Sequence, residues 1–137
     1  MDKKLLGLMS VFFLAFLLFT TVLVFRNPIQ NVIRAEKTTQ PSGANSLIFA
    51  WPLTTNANGQ SEVKIDVFVR NGENKPLQNR QVSVASTLGT IKAESAQSDQ
   101  AGKTTFLLTS DAPGIAEITA TIDNSTAIEQ KLTVKFE

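Results

Sequence analysis

Carboxylates are the main chemically active side chains left to consider in this chain. The sequence contains no cysteine and no histidine, which excludes thiolate nucleophiles, disulfides, His-ligated zinc and Ser-His-Asp hydrolysis. Paired carboxylates are then the remaining route to acid–base catalysis. The acidic side chains lie on the solvent side of predicted strands or in turns and form no marked pair: Glu62, Asp66, Glu73, Glu94, Glu117 and Glu129. We therefore expect no enzymatic activity and no small-molecule substrate.

Three further acids, Asp99, Asp111 and Asp123, each precede a turn and suggest a calcium site at first sight. Calcium needs six to eight oxygen ligands that converge on one point, and no D-x-D-x-D-G loop supplies them here. Aspartate also favours turns because its side chain accepts hydrogen bonds from the backbone that follows. We predict that these residues cap their own turns, with no metal and no cofactor.

The charges outside the acidic turns are too dispersed for a nucleic-acid surface. Residues 46–137 carry eight basic and ten acidic side chains. Nucleic-acid binding requires a basic stripe interleaved with aromatic side chains, and the lysines and arginines of this region stand among Asp and Glu. We expect no nucleic-acid partner.

The N-terminal element is an apolar run that is long enough to cross a membrane. Residues 5–25 contain no charged side chain, and as a helix they would span about 31 Å, the thickness of a bilayer's hydrocarbon core. A cleavable signal peptide has a shorter apolar region and a nearby small-x-small site. The closest such site here ends at Ala35. The length favours an uncleaved signal anchor that uses the lipid bilayer as its partner, and cleavage near Ala35 is the alternative.

The residues after the apolar run have the composition of a tether. Residues 26–45 are rich in polar residues, Pro28 is placed to end the helix, and Pro41 with Gly43 argues against a regular element. A flexible chain of this length reaches about 25 Å. We predict a flexible linker over residues 26–45.

Beyond the linker, apolar residues recur at every second position, which is typical of half-buried strands. Five runs show this alternation: Val63–Arg70, Gln81–Ser86, Lys103–Ser110, Ile115–Ile122 and Thr126–Phe136. A further run, Ser46–Trp51, is predicted as a strand although it does not alternate cleanly. About seven short strands in residues 46–137 predict an antiparallel β-sandwich, with a barrel as the alternative. The same alternation assigns Phe106, Ile118 and Val134 to its core.

Several motifs in this region resemble one known family. The sequence reads V-R-N-G-E-N-K-P-L at residues 69–77, V-S-V at 82–84, G-T-I at 89–91, S-D-Q-A-G-K-T-T-F-L-L at 98–108 and P-G-I-A-E-I-T-A at 113–120. In order and spacing they are similar to the group 1 bacterial Ig-like domains that build the rods of invasin and intimin. Asn71 and Asn74 depart from the family's usual Asp and Gly.

The resemblance implies an Ig-like β-sandwich outside the cytoplasm, without catalytic residues, that serves as a spacer or adhesive unit. Lys3 and Lys4 favour a cytoplasmic N-terminus, whereas three basic residues after the apolar run oppose it, so the charge rule does not decide. The resemblance favours a cytoplasmic stub over residues 1–4 and a C-terminal domain outside the membrane. The alternative is a secreted binding module.

The alternation also leaves three apolar side chains pointing away from the predicted core. Phe68, Leu107 and Ile115 are predicted to form an exposed patch for a partner, either another cell-surface protein or a polysaccharide. Trp51 is predicted to pack at the core or at its boundary, because a single Trp in a small sandwich usually closes one end.

Overall fold

The computed structural model describes residues 2–137, apart from the side chains of residues 24–38. The chain divides into two compact units, Met1–Lys37 and Thr38–Glu137, and each is described by itself.

The first unit is helical. Helix α1 spans Lys3–Thr39, and its stretch Lys3–Leu23, with a mean hydropathy of 2.4, is long and apolar enough to cross a membrane. The hydroxyl groups within this stretch donate to carbonyl oxygens one turn earlier, for example Thr20 Oγ1 to Phe16 O at 2.7 Å. Polar side chains bonded in this way remain compatible with an apolar environment.

The bounds of α1 differ from those of the predicted membrane segment, residues 5–25. The helix continues to Thr39, beyond Phe25 and beyond Pro28, which was expected to end it. The predicted linker covers residues 26–45, and the side chains of residues 26–38 are outside the described part of the chain. The flexibility of residues 26–38 stays a prediction.

The last residues of the predicted linker belong to the sandwich, which corrects the predicted boundary at residue 46. Pro41 forms a β-bridge with Asn71, and the Ser42 N–H donates to Arg70 O at 2.8 Å. Gly43 lies so close to Ala127 that a Cβ would overlap its carbonyl oxygen. The Pro, Ser and Gly residues here form a packed turn because their backbone polar groups find partners in the domain.

Nine strands form the sandwich. They are β1 (Leu47–Trp51), β2 (Thr54–Thr55), β3 (Val63–Phe68), β4 (Val82–Ser86), β5 (Thr90–Ser95), β6 (Lys103–Thr109), β7 (Gly114–Ile122), β8 (Thr126–Ala127) and β9 (Leu132–Phe136). The first sheet has the order β1-β3-β6-β5 and the second β2-β9-β7-β4, with β8 paired to β7. The pairs are antiparallel except β2 with β9. This is the two-sheet arrangement of an Ig-like fold, as predicted.

The two sheets enclose an aliphatic core. The alternating residues Val63, Ile65 and Val67 of β3 are fully buried, as are Ile118 of β7 and Val134 of β9. Phe106, at 3% exposure, joins them. The core positions predicted from alternation are thus confirmed, since a period of two puts every second side chain on the inner face.

Three strand details were not predicted. β5 was missed because five of its six residues are exposed and carry no alternation, and β2 is only two residues long. The predicted run Thr126–Phe136 is divided into β8 and β9. Between them Ile128 is buried, and its N–H donates to Ala120 O at 2.9 Å.

Candidate binding surface

The structure places the three predicted surface residues on two different faces. Phe68 of β3 and Leu107 of β6 point outward from the first sheet and are half-buried, whereas Ile115 of β7 lies on the outer face of the second sheet and is 67% exposed. The outer faces of a sandwich point in opposite directions. The prediction that all three residues form a single patch is therefore wrong. Alternation shows whether a side chain points toward the core or away from it, but it does not show to which sheet the strand belongs.

Phe68 and Leu107 share a face but are not neighbours within it. Phe68 stands opposite Lys103, and Leu107 stands opposite Lys64. These two rows are four residues apart along the strands, about 13 Å. The two side chains belong to one surface and occupy its two ends.

Phe68 is held in a small cluster, which explains why it is only half-exposed. Its ring packs edge-on against Phe49, with centroids 5.9 Å apart, and Lys103 Nζ lies 5.9 Å from its centroid. Lys103 in turn pairs with Asp66 at 3.0 Å, and the Thr105 hydroxyl donates to Asp66 Oδ1 at 2.9 Å. These contacts fix the positions of the Phe68 and Lys103 side chains on this face.

Trp51 is 78% exposed, so its predicted packing at the core or its boundary is wrong. In β1 the inward positions are Ile48 and Ala50, and the outward ones include Phe49 and Trp51. The sequence did not show which residues of β1 point inward, because the run lacks clean alternation. The structure shows it through the pairing of Ile48 with buried Val67.

A row of alternating apolar and basic side chains crosses the first sheet. Trp51 pairs with Lys64, Lys64 with Leu107, and Leu107 with Lys92. Adjacent strands are about 4.8 Å apart, so the row is about 14 Å long. Among the described residues of the sandwich, Lys64 and Lys92 are the two lysines that form no ion pair. The row therefore offers free positive charge beside exposed apolar surface.

The free edge of β1 is blocked at Ile48 and at both ends of the strand. The Ile48 N–H donates to Gln130 Oε1 at 3.2 Å, and Gln130 Nε2 donates to Ile48 O at 2.9 Å. The Ser46 N–H donates to Ser42 O at 3.0 Å, and Pro52 has no N–H to offer. A partner of this surface must accordingly contact side chains rather than extend the sheet.

The predicted turn-capping role of aspartate is confirmed at Asp99. Asp99 Oδ1 accepts the N–H groups of Ala101 and Lys103 at 2.8 and 2.9 Å. Asp123 instead accepts the Gln81 N–H at 3.1 Å and pairs with Arg80 at 3.1 Å, so its carboxylate binds the segment before β4 and not its own turn. Within the described part of the chain, no group of three or more acidic side chains gathers as a metal site would require.

Two shallow depressions of the sandwich lie away from the surface described above. One of about 210 Å³ is lined by Gly59, Gly89, Thr90, Thr109, Ser110 and Asp111. The other, of about 330 Å³, is lined by Ala85, Ser86, Thr87, Glu117, Thr119 and Lys131. Small-molecule sites are usually deeper and mostly apolar, and Glu117 is already paired with Lys131 at 3.2 Å.

Comparison with known proteins agrees with the fold. A search of curated proteins finds no match for the chain. The Yersinia pseudotuberculosis adhesin InvE has a TM-score of 0.62 at 24% identity, over 70% of this chain and 27% of that one. The D0-D1 domain of intimin has a TM-score of 0.60 at 29% identity, over 72% of this chain and 49% of that one.

Invasin, a bacterial integrin-binding protein, has a TM-score of 0.65 at 23% identity, over 72% of this chain and 20% of that one. This chain thus spans less than half the length of each of these three structures. The sequence profile of the bacterial Ig-like domain (group 1) matches residues 51–137. That match covers more than half of the sequence, and the chain therefore belongs to the group 1 bacterial Ig-like domain family.

Proposed function

We propose that this protein is a membrane-anchored Ig-like module that stands outside the cytoplasm and has a structural or adhesive role without catalysis. In this proposal residues 5–25 cross the bilayer, residues 1–4 are cytoplasmic, and the sandwich presents its surface to the exterior. The alternative is a secreted binding module released by cleavage near Ala35.

The observation that carries the adhesive part is the outer face of the first sheet. It combines half-buried Phe68 and Leu107 with exposed Trp51 and with two lysines that lack carboxylate partners. Exposed apolar surface bordered by polar groups is typical of protein interaction sites. Solved relatives support binding in general, since an intimin fragment 29% identical to this chain was solved in complex with the intimin-binding domain of its receptor.

The partner class is another cell-surface protein or a polysaccharide. Either would meet a flat face that offers aromatic rings for stacking and free ammonium groups for anionic groups. The acidic group within this face does not suggest chemistry, because Asp66 is paired with Lys103. The family's fold is a binding or structural scaffold, which supports a non-catalytic role.

Anchoring is tested by the mass and the extraction of the native protein. An anchored chain keeps its full-length mass, resists extraction by alkaline carbonate and is degraded by protease added to intact cells. A mature product that begins near Glu36 would instead support the secreted alternative.

The binding surface is tested with full-length protein and the native cell envelope. We expect Leu107→Ser and Lys92→Glu to reduce retention of the protein's envelope partner, because they remove apolar area and positive charge from one row. Ile115→Ser is the matched control, since Ile115 is exposed on the opposite sheet. Equal loss for the control and the Leu107 variant would contradict the assignment of this face.

A further inference from the structure

Three of the exposed apolar side chains of the sandwich lie on β1 or just after it. We propose that Phe49, Trp51 and Leu53, here called the β1 ridge, dock into the headgroup region of an anionic lipid bilayer with help from Lys64 and Lys92. This inference rests on the proposed anchoring, because the bilayer concerned is the one that holds α1. Docking covers Trp51 and Lys64, so the lipid competes for this face with the protein or polysaccharide partner proposed above.

The first argument is the concentration of exposed apolar area. Four large hydrophobic side chains of the sandwich are at least half exposed: Phe49 at 50%, Trp51 at 78%, Leu53 at 50% and Ile115 at 67%. Three of them occur within five residues, at every second position. Apolar side chains scattered singly need no explanation, but Phe49 and Trp51 on β1, with Leu53 two residues beyond its end, are close enough in sequence to indicate a surface that something covers.

The second argument is the chemistry of the ridge. Tryptophan and phenylalanine with neighbouring lysine form the set of side chains that is enriched where proteins meet the membrane–water interface. Lys64 is the cross-strand partner of Trp51, and Lys92 ends the same row. Neither lysine is neutralised by an ion pair within the described sandwich, so both are available to anionic headgroups.

The remaining charges on this face leave the row positive. Asp66 is neutralised by Lys103 at 3.0 Å. Two acidic side chains stay exposed beside this row, Glu62 directly before β3 and Glu94 of β5, and neither belongs to the row that joins Trp51, Lys64, Leu107 and Lys92. Lys64 is the charged side chain directly opposite Trp51.

The third argument distinguishes the mode of contact. Because Gln130 occupies the Ile48 N–H and C=O and Ser42 the Ser46 N–H, the edge of β1 is a poor template for strand addition. The two depressions described above lie at other residues, whereas the three ridge side chains are at least half exposed. An exposed row of this kind suits a soft partner into which it can insert.

The fourth argument is covalent linkage. Phe49 lies 24 residues after Phe25, the last residue of the proposed membrane segment. Once α1 is inserted, contact between ridge and lipid is an intramolecular event with a high effective concentration, so even weak interfacial affinity suffices. Three apolar side chains and two lysines are then an adequate set.

The chain contains one tryptophan and no tyrosine, so its fluorescence reports on the ridge directly. We would reconstitute the full chain into phosphatidylcholine vesicles with and without phosphatidylglycerol, and confirm insertion of α1 by resistance to alkaline carbonate. Brominated lipid should then quench Trp51, its emission should shift to the blue, and aqueous iodide should quench it less in the anionic vesicles. Each of Lys64→Glu and Lys92→Glu should lower the ratio of docked to undocked sandwich by at least about fivefold.

The matched control moves the fluorophore to the opposite face. In the W51F/I115W double variant the single Trp occupies a similarly exposed position on the second sheet, and brominated lipid should leave it unquenched. Inserted protein with iodide-accessible Trp51 and no quenching by brominated lipid would refute the docking while leaving the anchoring intact. Failure of α1 to insert would refute the proposed anchoring and this inference with it. Shielding of Trp51 that depends on protein concentration in detergent without lipid would point to a second copy as the occupant and would also overturn the proposal.

Discussion

Phe106 and Phe68 lie on paired strands of one sheet and differ in what surrounds their rings. Phe106 is 3% exposed within the core, so Phe106→Ala should reduce the free energy of unfolding by about 3–5 kcal/mol through lost burial and the remaining cavity. Phe68 packs against Phe49 and Lys103, so Phe68→Ser should cost about 1–2 kcal/mol rather than the small loss typical of a free surface residue. Urea unfolding of the two variants measures both values.

Trp51→Ser is the control for these two substitutions. Its side chain is 78% exposed, so we expect a change within about 0.5 kcal/mol. A loss as large as that of Phe106→Ala would mean that Trp51 is part of the core and that β1 has the opposite parity.

Also at the residue scale, Asn71 holds the first turn of the sandwich together. Its Oδ1 accepts the N–H groups of Glu73 and Lys75 at 3.0 and 2.9 Å, and the residue is 1% exposed. Asn71→Ala leaves both donors without this acceptor and should cost about 1–3 kcal/mol. Thermal unfolding measures the loss, and a neutral result would show that water replaces the side chain in the turn.

At the scale of elements, the turn before β1 is a fixed part of the sandwich. Gly43 has the carbonyl oxygen of Ala127 where a Cβ would be placed, whereas Gly72 has open space there and a φ outside the left-handed region. Gly43→Ala should therefore destabilise the protein by about 1–3 kcal/mol, and Gly72→Ala should change its stability much less. If calorimetry showed equal losses of stability for the two variants, residues 41–45 would belong to the linker and not to the sandwich.

The edge of β1 depends on one side chain from the segment between β8 and β9. Gln130→Ala leaves the Ile48 N–H and C=O without their partner, which should cost about 1–2 kcal/mol and open an edge strand to association. Light scattering during mild heating should show earlier aggregation than for Gln100→Ala, a control at an exposed turn. Aggregation that is unchanged would mean that Pro52 and Ser42 close the edge without Gln130.

At the scale of the whole molecule, the sandwich has all the contacts that a domain needs. Its core lies within the unit Thr38–Glu137, and a domain of this size ordinarily folds without disulfides. The fragment 38–137 should unfold cooperatively, with β-type circular dichroism and no dependence on reductant. The fragment 46–137 should be less stable, because it lacks the bonds that Pro41 and Ser42 make to residues 70 and 71.

Helical circular dichroism from the fragment 38–137 would overturn the architecture. If the fragments 38–137 and 46–137 were equally stable, the residues before β1 would contribute nothing to the sandwich, and the boundary at residue 46 would stand.

The sequence by itself determined the features that depend on neighbouring residues. Apolar content over residues 5–25 identified the helix that is able to span a membrane, and alternation identified the inner faces of β3, β6, β7 and β9, because a strand's period of two is local. The spacing of turn motifs was specific enough to indicate the family. These features hold whatever the strands pair with.

Only the tertiary structure decided what depends on pairing. It separated Ile115 from Phe68 and Leu107, because the sheet to which a strand belongs is set by contacts distant in sequence. It turned Trp51 outward through the register of β1 with β3, and it brought Lys64 and Lys92 into one row with Leu107 between them. The local sequence determines which side chains of a strand share a face, whereas long-range hydrogen bonds between strands determine which side chains meet in one surface.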